Sequence, residues 1–218
     1  MSELILFDCD GVLIDSEIIA NRIEAEELAR LGYAITMEEI INRFTGISEQ
    51  EASKLMRKEY GFLLPENHAA RVTELILKEF HASLQPIDGI RETLSALSLP
   101  RCVASSSNID KIRLGLTTTG LIEYFDPRYL FSASMVECGK PAPDLFLLAA
   151  GKMGYAPEQC VVIEDSVPGV QAAKAAGMRV FGFSGGTHCN TNHQERLKDH
   201  GADLVFADMR RLNNLLAS

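Results

Sequence analysis

The sequence predicts an α/β fold: a parallel sheet covered by helices on both faces, with a small four-helix unit inserted near its start. Three observations carry this. Leu4-Ile5-Leu6-Phe7 is wholly apolar, as a buried strand requires. From about Ser16 to His81 the pattern is helical throughout, with no convincing strand. After Pro86, short apolar runs alternate with helical segments, the order that builds a doubly covered parallel sheet. Residues 1–15 and 83–218 therefore form one core, and residues 16–82 the insertion.

Within the insertion, Asn21 to Leu31 sets Ile23, Leu28 and Leu31 among Glu and Arg residues, and Gly32 closes the helix. Thr36-Met37-Glu38-Glu39 and Ser48-Glu49-Gln50-Glu51 read as capping boxes. In each, a hydroxyl and a carboxylate three residues apart satisfy the free N–H groups of a helix start. A fourth helix follows Pro65 through Val72, Leu75, Ile76 and Phe80. In the core, further strands are expected at 101–105, 129–131, 160–164, 179–183 and 204–206. The helices fall at 90–97, 110–119, 144–153, 170–176, 193–200 and 209–216.

Composition narrows the function classes. Apolar residues make up 46% of the chain, ample for a packed core. No apolar run approaches the ~20 residues that cross a bilayer, so no membrane partner is expected. Met1 leads directly into a strand with no basic region or cleavage signal, which argues for a cytoplasmic protein. The net charge of -9, without a Lys/Arg cluster, argues against nucleic acid. It would also repel an anionic metabolite, so local cations must hold any phosphate. Five cysteines without a C-x-x-C pattern read as reduced thiols. Histidines 188, 193 and 200 follow no recognisable zinc-ligand spacing, and Gly182 to Gly186 lacks a G-x-G-x-x-G pattern and reads as loop.

The first strand runs straight into Asp8-Cys9-Asp10-Gly11. Two acids separated by one residue lean to the same side of an extended strand, and burying them requires a cation or good hydrogen bonds. In an open parallel sheet, ligands bind at the carboxyl ends of the strands. Two later strands also finish in polar residues, at Ser105 and at Glu164-Asp165, and Lys140 stands in a proline-stiffened loop before a helix. These positions would converge on one rim.

Phosphoryl transfer fits such a set. Asp8 would be the nucleophile and Asp10 the acid and base, serving leaving group and water in turn. Asp8, Asp10 and Asp165 would hold an octahedral Mg²⁺, with Glu164 a direct or outer ligand and Asp10 offering its main-chain carbonyl. Ser105, Ser106 and Lys140 would bind the phosphate. Each also has an ordinary reading. Asp before Gly is common in turns, Ser107 or Asn108 suits a helix cap, and Asp165 suits a helix start. A lone lysine is most often a solvated surface residue.

The pattern resembles the haloacid dehalogenase superfamily over essentially the whole chain. Its first motif, D-x-D-G-[TV]-L-x-D-S-E, stands as Asp8 to Glu17. Its second matches Ser105, its K-P-x-P-D motif matches Lys140 to Asp144, and its E-D-S-x-x-G motif matches Glu164 to Gly169. The resemblance implies a Rossmann-like core, an inserted helical cap, Mg²⁺ and an aspartyl-phosphate intermediate. Asp10 marks its phosphate-transferring members, and no cap lysine of the phosphonate-cleaving members is found near Glu17 to Arg22. Arg43-Phe44-Thr45-Gly46-Ile47-Ser48 resembles the loop that selects substrate, with Arg43 and Gly46 as candidate specificity residues.

The resemblance leaves a hydrolase acting on a small organic phosphate, expectedly a sugar phosphate, against a β-phosphoglucomutase. The mutases continue their first motif as D-T-A-x-x-H, and that histidine falls on Ala20, which favours the phosphatase. A receiver-type signalling domain also gathers acids, a hydroxyl and a lysine around Mg²⁺. It has neither the insertion nor the second acid. A single-chain monomer is expected, since cap closure over a small site needs no partner.

Overall fold

The structure, a computed structural model, describes residues 4–44 and 49–217. After β1 (Leu4–Phe7) come the helices of the insertion: α1 (Glu17–Arg30), α2 (Met37–Phe44), α3 (Glu49–Tyr60) and α4 (His68–Ser83). The capping box at Thr36 is present. Thr36 N–H donates to Glu39 Oε2 at 2.9 Å, and Glu39 N–H donates to Thr36 Oγ1 at 3.2 Å. The box expected at Ser48 begins outside the described residues. Helix α1 starts earlier than Asn21 because Ile19 and Ile23, four apart, share a buried face.

The rest of the chain supplies α5 (Ile90–Ala96), β2 (Arg101–Ser105), α6 (Ile109–Thr118), β3 (Leu130–Ser132), α7 (Asp144–Met153) and β4 (Cys160–Glu164). It continues with α8 (Val167–Ala175), β5 (Arg179–Phe183), α9 (His193–Asp199), β6 (Leu204–Phe206) and α10 (Leu212–Ala217). Every expected strand is present. Helix α8 begins earlier than expected, because Ser166 caps it and Pro168 sits in its first turn. Helix α10 begins later, because Asp208 caps a 3-10 turn at Met209–Arg211.

The sheet order is β3-β2-β1-β4-β5-β6, with every neighbouring pair parallel. The chain steps outward from β1 through β2 and β3, then returns to lay β4 on β1's other edge. That reversal opens a crevice where β1 and β4 end. Side chains alternate between two apolar layers, as strand geometry dictates. Ile5, Phe7, Val103, Val161 and Phe181 face α5, α6 and α10; Leu4, Leu6, Ala104, Val162 and Val180 face α7, α8 and α9. The α/β expectation, with helices on both faces, therefore holds.

The insertion has a small centre of its own: Leu28, Ile35, Ile40, Phe44, Met56 and Phe62. Its base has none. Ile19 and Ile23 of α1, with Val72, Ile76 and Phe80 of α4, join the sheet's first layer. One apolar layer thus runs across the boundary drawn at residue 82. Among the described residues, no helix is long and apolar enough to cross a membrane.

Candidate active site

Strand β1 stops at Phe7, so Asp8 and Asp10 lie on the turn beyond it and not, as the sequence predicts, on the extended strand itself. Asp8 N–H still donates to the Ile163 carbonyl at 3.0 Å, which holds it level with the end of β4. Gly11 has φ +76°, and a Cβ there would collide with the Asp165 carboxylate. Glycine therefore does two things: it turns the chain, and it lets β1 and β4 bring their acids together.

Lys140 is not a surface lysine; its side chain is 1% exposed. Its Nζ donates to Asp8 Oδ1 at 2.7 Å and to Glu164 Oε1 at 2.6 Å. Burial alone would discharge the amine, but the two carboxylates outweigh it and raise its pKa. Lys140 sits in a turn of that proline-stiffened loop, closed by Ala142 N–H on the Gly139 carbonyl at 2.9 Å. Glu164 has no free oxygen, because its Oε2 accepts from both Ser166 N–H and Ser166 Oγ at 2.8 Å. Ser166, and not Asp165, caps α8.

Asp10 has separate partners. Ser16 Oγ donates to Oδ1 and Ser107 Oγ to Oδ2, both at 2.6 Å, and Ser105 Oγ reaches Oδ2 at 3.4 Å. Lys111 Nζ lies 3.3 Å from Oδ1. Burial would raise its pKa, but Lys111 and the hydroxyls of Ser107 and Ser16 hold it below the ordinary value. Asp8 moves the other way. Burial pushes it well up, Lys140 opposes, and Glu164, Asp165 and Asp10 add to the rise. Asn108 caps α6 by accepting from Lys111 N–H at 2.9 Å, one of the two caps proposed for that turn.

Carboxylate oxygens of Asp8, Glu164 and Asp165 all lie within 4.8 Å of one another and are buried. Lys140 pairs with Asp8 and Glu164, and the contact nearest to Asp165 Oδ2 is His188 Nε2 at 3.0 Å, which does not make an aligned hydrogen bond to it. An oxygen-seeking divalent cation such as Mg²⁺ fits this set. Asp10's carboxylate lies outside the group, committed to its hydroxyls and Lys111, and only its main-chain carbonyl remains for a metal.

Asp8, Asp10, Ser105, Ser106 and Lys111 line a cavity of about 460 Å³. Its upper wall carries Glu17, Asn21, Glu24 and His68, together with apolar Ile40, Phe44 and Met56. His68 Nε2 is 2.9 Å from Glu24 Oε1, and its Nδ1 is buried without a partner. Burial and the nearby Asp10 push the Glu17 carboxyl up to about 7. Arg43 does not line this cavity. It pairs with Glu59 at 2.6 Å, donates to Tyr60 Oη at 2.9 Å and borders a smaller cavity beside Asp165. Gly46 lies outside the described residues.

Sequence alone assigns no role in the site to Ser16, Glu17, Lys111 or the loop before α9, and gives Ser107 only that of a helix cap. Ser16 and Glu17 belong to the first motif, and Lys111 follows the Asn108 cap by three residues. Those signals were present but carried no assigned chemistry. In the loop, Thr187 N–H and Oγ1 both donate to Asp15 Oδ1, at 3.1 and 3.0 Å. This fixes His188 with its Nε2 3.0 Å from Asp165 Oδ2.

Residues 3–177 match the haloacid dehalogenase-like hydrolase family. The 6-phosphogluconate phosphatase of Escherichia coli K12 is 34% identical over 187 residues, 85% of this chain and 84% of that one. A solved haloacid dehalogenase-like protein of unknown function from Agrobacterium tumefaciens superposes with a TM-score of 0.87 at 39% identity, covering 100% of this chain and 98% of that one. A putative β-phosphoglucomutase from Thermotoga maritima gives 0.74 at 28% identity, covering 99% and 98%.

Proposed function

The chain belongs to the haloacid dehalogenase-like hydrolases, and within them we propose that it is a Mg²⁺-dependent phosphomonoester hydrolase acting on a small organic phosphate, of the sugar-phosphate class. The observation that carries this is the division of two adjacent buried acids. Asp8 is paired with Lys140 beside the carboxylate cluster, while Asp10 is held by hydroxyls and Lys111 at the floor of the cavity.

Asp8, Asp165 and the Asp10 main-chain carbonyl would hold Mg²⁺, and Glu164 acts through Lys140, since both its oxygens are occupied. When bound, the ion neutralises phosphate charge and keeps Asp8 ionised against its burial. Asp8 Oδ attacks phosphorus, the bond to the ester oxygen breaks, and Asp10 gives that oxygen its proton. Asp10 carries this proton because the arriving phosphate dianion raises its pKa from the low value it has alone. Water then attacks phosphorus and gives a proton to Asp10, and the bond to Asp8 breaks to free phosphate. Lys140, Ser105 and Ser106 hold the phosphate oxygens. Glu17, Asn21, Glu24 and His68 face the organic half, and Arg43 supports the cap from outside the cavity. A cytoplasmic monomer belongs to the same reading, since one chain encloses the cavity.

Similarity to the Thermotoga protein keeps a mutase as the second reading. Ala20 lines the cavity where the mutase-like motif would place histidine, which favours water as acceptor. Incubation with β-glucose 1-phosphate and a trace of the bisphosphate separates the two. The phosphatase yields free phosphate, and accumulation of glucose 6-phosphate would overturn it. A panel of sugar and polyol phosphates then identifies the substrate.

A further inference from the structure

The loop before α9 gathers donors that phosphoryl transfer does not use. Ligand atoms of His188, Cys189 and His193 all lie within 4.8 Å of one another. His188 Nε2 and Cys189 Sγ are 3.5 Å apart, close to the edge of a tetrahedron with Zn–N of about 2.0 Å and Zn–S of about 2.3 Å. The two imidazoles meet edge to face with centroids 5.5 Å apart. His193 Nε2 lies 2.7 Å from the Asp165 carbonyl, and donating its proton there leaves Nδ1 as the bare nitrogen. That is the outer hydrogen bond by which metal-binding histidines are commonly oriented.

Two further observations point to a ligand. His188 is fully buried beside Asp165, and its Nδ1 makes no hydrogen bond. His188 and His193 also border a cavity of about 150 Å³, distinct from the substrate cavity, with room for water. Sulfur and imidazole donors select a borderline or soft ion, not the Mg²⁺ suited to carboxylates.

We propose that His188, Cys189 and His193 form a binding site for a zinc-class divalent metal, next to the carboxylate cluster and distinct from it. Cys189 binds as thiolate, its proton passing to solvent. With three protein ligands and one position left to water, the site is of the open, exchangeable kind.

Co²⁺ as a spectroscopic substitute tests this in the full chain under saturating Mg²⁺, which occupies the carboxylates. One equivalent should bring a thiolate-to-cobalt absorption in the near ultraviolet, and Zn²⁺ should displace it. Cys189→Ser should lose the band while keeping wild-type circular dichroism, and His193→Gln should weaken Co²⁺ binding at least about tenfold. If Cys189→Ser does not fold, His193→Gln carries the test. Absence of the band at one equivalent, or its survival in Cys189→Ser, would overturn the site. Neither readout uses turnover, so failure of the phosphatase reading would leave this result standing.

Discussion

The sheet's rim and the outer face of the helical cap handle charge in opposite ways. On the rim, Lys140 is 1% exposed and each oxygen of Glu164 is committed, so removing one partner leaves another charge stranded in a poorly solvated place. On the cap, Arg43 is 51% exposed and its pair with Glu59 is open to water and salt. Exposed pairs of that kind contribute at most about 1 kcal/mol. The rim is built for chemistry and tolerates little change. The cap is built to present a surface, and its substitutions should alter which substrate binds more than how fast it reacts.

The largest expected effect is at Asp8. Asp8→Asn should lower turnover of a generic aryl phosphate at least about a thousandfold while leaving the fold intact, as circular dichroism would check. Normal turnover would dissolve the contrast. Lys140→Met should lower kcat about a hundredfold or more and destabilise the apoprotein by about 3–5 kcal/mol in urea unfolding, because Asp8 and Glu164 lose their shared cation. Added Mg²⁺ should restore part of that stability, which a purely packing role for Lys140 would not allow. Gly169→Ala tests the same network at a distance. A Cβ there would collide with the Glu164 carboxylate, so kcat should fall about tenfold with KM little changed.

Smaller effects belong to the cap. Glu17 titrates at about 7, so above that pH a negative charge enters the substrate cavity beside the phosphate. KM should rise from pH 6 to pH 8 in the wild type and stay flat in Glu17→Gln. Glu27 contributes stability only. Hydrogen bonds from Arg71 and Arg30 hold its pKa at about 2 against an ordinary 4.5. Its contribution is therefore complete above pH 4.5 and lost as pH falls toward 2. Glu27→Gln should flatten acid unfolding across that window and leave kcat at neutral pH unchanged.

The sheet was legible because each strand is short, apolar and followed by helical periodicity, so even β3, three residues long, could be located. The rim acids were legible because carboxylates and a lysine next to apolar runs have few inexpensive explanations. The burial of Lys140 was not: a lone lysine carries no mark of the carboxylates that will enclose it, and its partners lie 132 and 24 residues away. The loop holding His188 failed for a related reason. Its donors are close in sequence but match no familiar spacing, and only the anchor from Thr187 to Asp15 folds them against Asp165. Arg43 shows the reverse error, since a motif position located the loop but could not tell which cavity its side chain borders.

Asp8, and not water, first takes the phosphoryl group in the proposed reaction. The stereochemical course at phosphorus reads this out, using a substrate made chiral with oxygen isotopes and hydrolysed in isotopically labelled water. Two successive in-line displacements predict net retention. Net inversion would show a single direct attack by water and would contradict the role given to Asp8.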